Sequence, residues 1–243
     1  MCYGYACMNS LKNQRLLVIA PHPDDEVLGC GGLIKKIKDH AGRVYVLFLT
    51  IGNTQDFSAK GSSTIAEREH EIEQVARYLD FDEYELVLKG DTYHLQLDIH
   101  GQKTVMDILE RQSRVSIERI KPTMVVFPSQ YSYNQDHQLA AKAVHAVLRP
   151  AESTVKHFVD TVLAYEVPAD AWSMHHQTLP NFFVPLSNKE FAAKLGALKL
   201  YTSQFRPLPN PRAIQAVKAL TRLRGILCAK PLAEAFIAYR SVL

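Results

Sequence analysis

Hydrophobic positions along this chain form short unbroken runs that alternate with stretches of helical period. Leu16–Ala20 is apolar without a polar break, the pattern of a strand buried on both faces. From Val27 to about His40 the period changes, and Leu28, Leu33, Ile34 and Ile37 line one side of a predicted helix. Val44–Leu49 is strand-like again. Glu67–Leu79 reads as an amphipathic helix with Ile72, Val75, Ala76 and Leu79 inward. A short strand follows at Tyr84–Leu88, then a predicted helix over Val105–Ile120. Pro122 opens the strand Met124–Phe127, and Asp136–Leu148 is helical. Val159–Tyr165 and Phe182–Pro185 read as strands, and Lys189–Tyr201 and Ala213–Ile226 as the last helices.

This alternation predicts an α/β fold, Rossmann-like, with a mostly parallel sheet and helices on both faces. No repeat, low-complexity stretch or linker divides the chain, and the proline-rich Phe205–Pro211 reads as a rigid loop. The expected organisation is a tail over residues 1–13 and one domain over residues 14–243. Ligands of such sheets sit beyond the carboxyl ends of the strands. Attention therefore falls on the residues after Ala20, Leu49, Leu88 and Phe127.

Composition adds limits. Hydrophobic residues at 47% and charged ones at 22% suit a soluble globular protein, and a net charge of +3 is too small to argue for nucleic acid. The charge is uneven, however. Lys199, Arg206, Arg212, Lys218, Arg222, Arg224, Lys230 and Arg240 crowd the last quarter, a solvated helix face or a rim attracting a nucleotide- or phosphate-linked sugar. Cys2, Cys7, Cys30 and Cys228 form no CxxC pair, so a reducing cytoplasm is the expected compartment. Met1–Asn13 lacks a signal-peptide pattern, and no apolar run reaches the roughly 20 residues of a membrane span.

Chemistry collects after two strands. After the first comes Pro21-His22-Pro23-Asp24-Asp25-Glu26. Two acids ahead of a helix are ordinary capping residues. An imidazole between two prolines is less ordinary, because each proline fixes φ and removes an N–H donor, giving a stiff turn. After Phe127 comes a loop ending in Asn134-Gln135-Asp136-His137. Asp136 there reads alone as a cap and His137 as a first-turn residue. Taken together, the two loops bring histidine and carboxylate to the same sheet edge. Two imidazoles and a carboxylate are a common catalytic zinc set that keeps a position open for water. His22, Asp25 and His137 are the expected ligands. Asp24 is then left to accept a proton from a water made more acidic by the cation.

Two rival readings are weaker. Gly29-Cys30-Gly31-Gly32 lies too far past the first strand for a dinucleotide loop, and Leu49-Thr50-Ile51-Gly52 carries no ribose-binding acid. Close helix packing accounts better for the glycines. The other rival takes His22, Asp24 and His137 as a facial triad for non-haem iron; iron also suits a hydrolase site.

At these residues the sequence resembles the PIG-L/LmbE family of zinc-dependent N-acetylglucosaminyl deacetylases. Leu16–Gly32 reproduces the family's strand, (A/P)-H-P-D-D-E motif and glycine-bearing helix without a gap. Arg68 and Glu71 match its Arg-x-x-Glu element, and Asn134–His137 its H-x-D-H segment. Pro207–Phe236 is similar to members found in surface-polysaccharide gene neighbourhoods. The resemblance implies a sugar N-deacetylase with Zn2+ on His22, Asp25 and His137, Asp24 as base and Arg68 as a substrate contact. Asn134 stands where many members carry a histidine that assists the reaction, and an amide side chain donates no proton as an acid. Three candidates remain for the leaving-amine step. Asp24 returns its proton, His175 or His176 folds over the site, or Tyr131 or Tyr133 stabilises the oxyanion while Asn134 orients the substrate. The expected reaction removes acetyl from an N-acetylglucosamine-like unit. The contrasting expectation is a sugar- or nucleotide-binding protein whose metal site is not catalytic.

Overall fold

The computed structural model describes residues 11–55, 60–152, 154–174 and 179–242. In chain order the first elements are β1 (Arg15–Ala20), α1 (Asp25–Asp39), β2 (Arg43–Ile51), β3 (Thr54–Gln55), β4 (Ser62–Ser63), α2 (Ile65–Leu79) and β5 (Glu83–Lys89). Then come α3 (Leu97–Asp107), a π-helical turn (Ile108–Gln112), α4 (Ile117–Ile120), β6 (Met124–Pro128) and α5 (Gln135–Val147). The last part holds β7 (Thr161–Tyr165), a 3-10 turn (Pro168–Ala171), β8 (Phe182–Pro185), α6 (Asn188–Leu200), α7 (Ile214–Leu227) and β9 (Ala233–Ser241).

Seven strands form the main sheet in the order β5-β2-β1-β6-β7-β9-β8, while β3 and β4 pair as a separate antiparallel ribbon. Pairing is parallel from β5 to β7 and antiparallel on both sides of β9. The Rossmann-like, mostly parallel α/β sheet read from the alternation is therefore what forms. Val18 pairs with Val46 of β2 on one side and Val126 of β6 on the other. The chain leaves β1 toward β2 and β5, then returns to β6 on β1's other edge. Strand order reverses at β1/β6, so the crevice beyond their carboxyl ends is the switch point where open α/β sheets bind ligands.

Alternating residues bury both faces. Leu16, Val18 and Phe48 belong to a core with Leu33 and Ile37 of α1, Val75 of α2 and Ala197 of α6. Leu17, Ile19 and Leu47 face the other way, against Val105 of α3 and Val144 of α5. Among the described residues no helix is long and apolar enough to cross a membrane.

Two helices differ from the expected pattern. Val105–Ile120 is not one helix: α3 starts at Leu97, and the chain breaks between Gln112 and Ile117. There Glu85 accepts hydrogen bonds from the Ser113 hydroxyl and the Arg114 N–H, and Ser113 Oγ takes the Val115 N–H. These side-chain bonds replace the helical ladder. Within α1, Cys30 leaves helical geometry at φ −146°, ψ 24°. The N–H groups of Gly32 and Leu33 turn to the buried carboxylate of Glu234, at 2.8 and 2.7 Å. Gly29 lies so close to Tyr165 that a Cβ would meet its ring at 2.4 Å. The α1 glycines thus serve packing. Strand β9 does not appear in the sequence reading at all; its alanine-rich run, Ala233-Glu-Ala-Phe-Ile-Ala238, has little alternation.

Candidate active site

The stretch after β1 is fastened before any ligand is considered. Thr50 N–H at the end of β2 donates to the Pro21 carbonyl at 2.9 Å. His22 N–H donates to Asp25 Oδ2 at 2.9 Å, which folds the Pro-His-Pro turn back onto α1. Asp24 occupies the N-cap position in the left-handed region, φ 104° and ψ −26°, and its side chain caps nothing. A non-glycine residue held there costs about 1–3 kcal/mol unless its surroundings enforce it. They do so here: Glu26 Oε2 accepts the Asp24 N–H at 3.2 Å, and Tyr201 Oη donates to Glu26 Oε1 at 2.6 Å. Burial pushes the Glu26 carboxyl up to about 8 against that tyrosine bond.

After β6, Asn134 rather than Asp136 caps α5: its side-chain oxygen accepts the Asp136 N–H at 2.9 Å. Asp136 is released for another task. It is fully buried, takes the Leu97 N–H at 3.0 Å on one oxygen and faces His22 Nε2 at 3.0 Å with the other. A carboxylate on one imidazole nitrogen fixes the ring and leaves the second nitrogen for a ligand. His22 Nδ1 lies 3.4 Å from Asp25 Oδ2, and His137 Nε2 lies 3.0 Å from the same oxygen.

The three expected ligands therefore meet. One donor atom each from His22, Asp25 and His137 lies within 4.8 Å of the others, a set that could hold a metal ion. All three are about 95% buried. Asp25's burial opposes its charge, but His137 and His22 outweigh it and hold the carboxyl well below the usual range. Asp24 is the contrasting neighbour. Its Oδ1 is buried without a hydrogen-bond partner, and burial raises the carboxyl to about 6 against the pull of Arg212. Two adjacent acids with opposed environments are the arrangement from which one ligand and one proton acceptor arise.

The remaining expected residues stand apart from one another. Arg68 of α2 is 2% exposed, its Nε has no partner, and its Nη1 approaches the Gly52 carbonyl and His94 Nε2 at 3.4 Å. Among the described residues no carboxylate pairs with it directly; Asp24 is the strongest charge acting to keep it protonated. Glu71 accepts bonds from Thr202 Oγ1 and from Ser203 N–H and Oγ, so it anchors the segment after α6. Asn134 and Tyr133 line the cavity over Asp25 and His137, whereas Tyr131 lines a neighbouring one. His175 and His176 lie outside the described residues.

His94 escaped the sequence reading, and Arg212 entered it only as one of the basic C-terminal run. His94, in the loop after β5, meets the His22 ring edge-on at 5.1 Å, and its Nδ1 is buried without a partner. Burial and the charges of His22 and Arg68 push its pKa down to about 3. The signal available was position alone, since His94 follows the strand end at Leu88. Arg212, from the proline-rich loop before α7, places Nε 3.6 Å from Asp24 Oδ2. Three other members of the expected basic rim have structural partners: Arg224 forms a two-point pair with Glu166, and Arg206 and Arg240 donate to backbone carbonyls.

A doubly wound sheet carrying a buried His-Asp-His cluster at its switch point defines the class to which this molecule answers. Residues 17–148 match the PIG-L family, described as GlcNAc-PI de-N-acetylase, and the chain belongs to that family. A diacetylchitobiose deacetylase of Thermococcus kodakarensis is 27% identical over 201 residues, covering 79% of this chain and 70% of its own. A conserved protein from Thermus thermophilus has a similar structure, with a TM-score of 0.68, 26% identity and coverage of 95% of this chain and 96% of its own. The 4-carboxy-2-hydroxymuconate hydratase of Pseudomonas putida shares the fold at a TM-score of 0.67 and 18% identity, covering 95% of this chain and 98% of its own.

Proposed function

We propose that this protein is a metal-dependent hydrolase that removes the acetyl group from an N-acetylated sugar, an N-acetylglucosamine-like glycoconjugate or nucleotide sugar, releasing acetate and a free amine. The observation that carries this reading is the buried His22–Asp25–His137 set beside an Asp24 oxygen without a partner. Family membership and the diacetylchitobiose deacetylase relative support the same substrate class.

Two imidazoles and a carboxylate fit Zn2+, and Fe2+ suits the same donors. When bound there, the cation supplies Lewis acidity and makes a water nucleophilic near neutral pH. The chain's own residues do the rest. Asp136 holds His22 in the ligating orientation. Asp24 takes the proton of the attacking water and returns it to the departing nitrogen, which needs a proton because an amine anion is too basic to leave. Asn134 cannot perform that transfer, since it only hydrogen-bonds. Its oxygen is committed to the α5 cap, so its NH2 group is what it offers the sugar, and Arg68 is the second polar contact. The cysteine pattern keeps the cytoplasm as the compartment of this reading.

The test is a metal analysis of the purified protein followed by an amine-release screen on free, nucleotide-linked and lipid-linked N-acetyl sugars. About one metal per chain, lost in His22→Ala and His137→Ala, and amine release from at least one substrate are expected. Full metal occupancy in both variants would remove the site assignment. The contrasting reading, a binding protein with a non-catalytic metal, has Asn134 in its favour, and the fold alone does not decide, because a hydratase shares it. Tight sugar binding without amine release would establish it.

A further inference from the structure

Arg212 is the one cation of the basic C-terminal run that reaches the candidate site among the described residues. Its position is prepared. Glu71 fixes Thr202 and Ser203 at the start of the loop, and Pro207, Pro209 and Pro211 stiffen it. Asn210 Oδ1 accepts the Arg212 N–H at 2.9 Å, and Gln204 Oε1 accepts from Nη1 at 3.1 Å. With Nη1 held, Nε faces Asp24 at 3.6 Å, close enough for charge attraction and too far for a hydrogen bond. Nη2 has no partner among the described residues.

The exposure of these groups separates them in depth. The Asp24 side chain is 4% exposed and that of Arg212 39%, so the acid is buried while the guanidinium reaches solvent. Arg212 itself lines a cavity shared with the candidate ligands Asp25 and His137 and with Asn134 and Pro168. Arg68 also acts on Asp24 through its charge and is buried, with no carboxylate of the described residues within ion-pair distance. Two guanidinium groups thus act on one acid. A planar guanidinium with unused N–H donors that reaches solvent is suited to a carboxylate or phosphate and is always charged.

We propose that Arg212 is a specificity-determining residue that binds an anionic oxygen carried by the N-acetyl sugar, so that the preferred substrates bear a phosphate or carboxylate. This rests on the deacetylase reading and narrows its substrate class. It also assigns the anion preference to a single side chain and leaves Arg224, Arg206 and Arg240 to structure.

The experiment uses metal-loaded protein and four probes: the neutral methyl glycoside of N-acetylglucosamine, N-acetylglucosamine 1-phosphate, N-acetylglucosamine 6-phosphate and N-acetylmuramic acid. Amine release is followed for wild type, Arg212→Lys and Arg212→Gln, with metal content and melting temperature confirming that the variants are folded. Calorimetric binding of the same probes is measured in the Asp24→Asn background, with and without Arg212→Gln. At least one anionic probe should outperform the neutral one, and added salt should narrow the gap. Arg212→Gln should lower kcat/KM for that probe by about 10- to 100-fold, the worth of one charge-assisted hydrogen bond, through KM. Arg212→Lys should recover part of the loss, and the neutral probe should lose at least several-fold less than the anionic one, since it reads only the charge removed from beside Asp24. An equal loss on neutral and anionic probes, carried by kcat, would overturn the proposal by assigning Arg212 to the charge balance of Asp24 alone. No advantage of any anionic probe in turnover or binding would overturn it as well. Arg212-dependent binding of an anionic probe without amine release from any probe would keep the anion site and remove the deacetylase reading.

Discussion

The two ends of the sheet are built on different terms. From β1 to α5 every strand of the main sheet pairs in parallel, and the carboxyl ends converge on His22, Asp24, Asp25, Asp136 and His137. From β7 onward the pairing turns antiparallel, and the conspicuous buried polar group is Lys194 against Glu234, both 3% exposed at the side chain, with Nζ to Oε1 at 2.6 Å. The first region concentrates chemistry at a switch point. The second braces it: Glu234 caps the broken half of α1, Tyr201 holds Glu26, and the loop before α7 delivers Arg212. Residues 17–148, the part matched by the family, are the region that carries the candidate ligands. Substitutions in the two regions should therefore fail in different ways.

The largest separation is expected at the two adjacent acids of the site. Asp24→Asn should keep fold and metal but lower turnover by about 10²–10⁴-fold, the usual contribution of a general base. Asp25→Asn should instead release the metal, read by elemental analysis of the purified protein. Exchanged phenotypes would mean that the roles of the two acids are reversed.

In the bracing region, Lys194→Met should cost about 3–5 kcal/mol in denaturant unfolding, because it leaves Glu234 charged and buried. Turnover per folded molecule should change little, since Lys194 touches Leu28 O and Glu234 and no candidate ligand. A variant of normal stability but tenfold lower turnover would break the division between the regions. Smaller again is Asp136→Asn. Weakening the group that orients His22 should reduce metal affinity by about 10- to 100-fold, measured by competition with a chelator, with kcat at saturating metal less affected.

The first region was far more legible in the sequence than the second. Leu16–Ala20 and Met124–Phe127 are continuous apolar runs because both faces are buried, and continuous runs announce themselves. His22 and Asp25 could be read because they follow such a strand directly, and His137 because it opens the helix after another. The ladder of β9 was invisible for the opposite reason: alanine and a buried Glu–Lys pair carry no periodic signal. The helix break at Ser113–Ser116 depends on Glu85, 28 residues away from Ser113, a partner that no local pattern supplies. Arg212 and His94 reach the site through tertiary folding of loops, so charge composition hinted at the first and only its position after a strand end marked the second. Asp136 was readable as a cap, and the structure gives that task to Asn134.

Asn134 is the residue at which the comparison can be sharpened most finely, because it belongs to both categories. Its oxygen caps α5, which is bracing, while its amide group lines the cavity over the ligands. Substitution by alanine removes both functions and should cost about 1 kcal/mol of stability from the cap alone. Serine and aspartate keep a capping oxygen but lose the NH2 donors. Asn134→Ser should therefore unfold within a few tenths of a kcal/mol of wild type. If the NH2 group contacts the sugar, its KM should nevertheless rise by about 5- to 10-fold, the worth of one neutral hydrogen bond. Equal KM values for wild type and Asn134→Ser, together with a stability loss confined to Asn134→Ala, would assign the side chain to the helix cap and take it out of the substrate site.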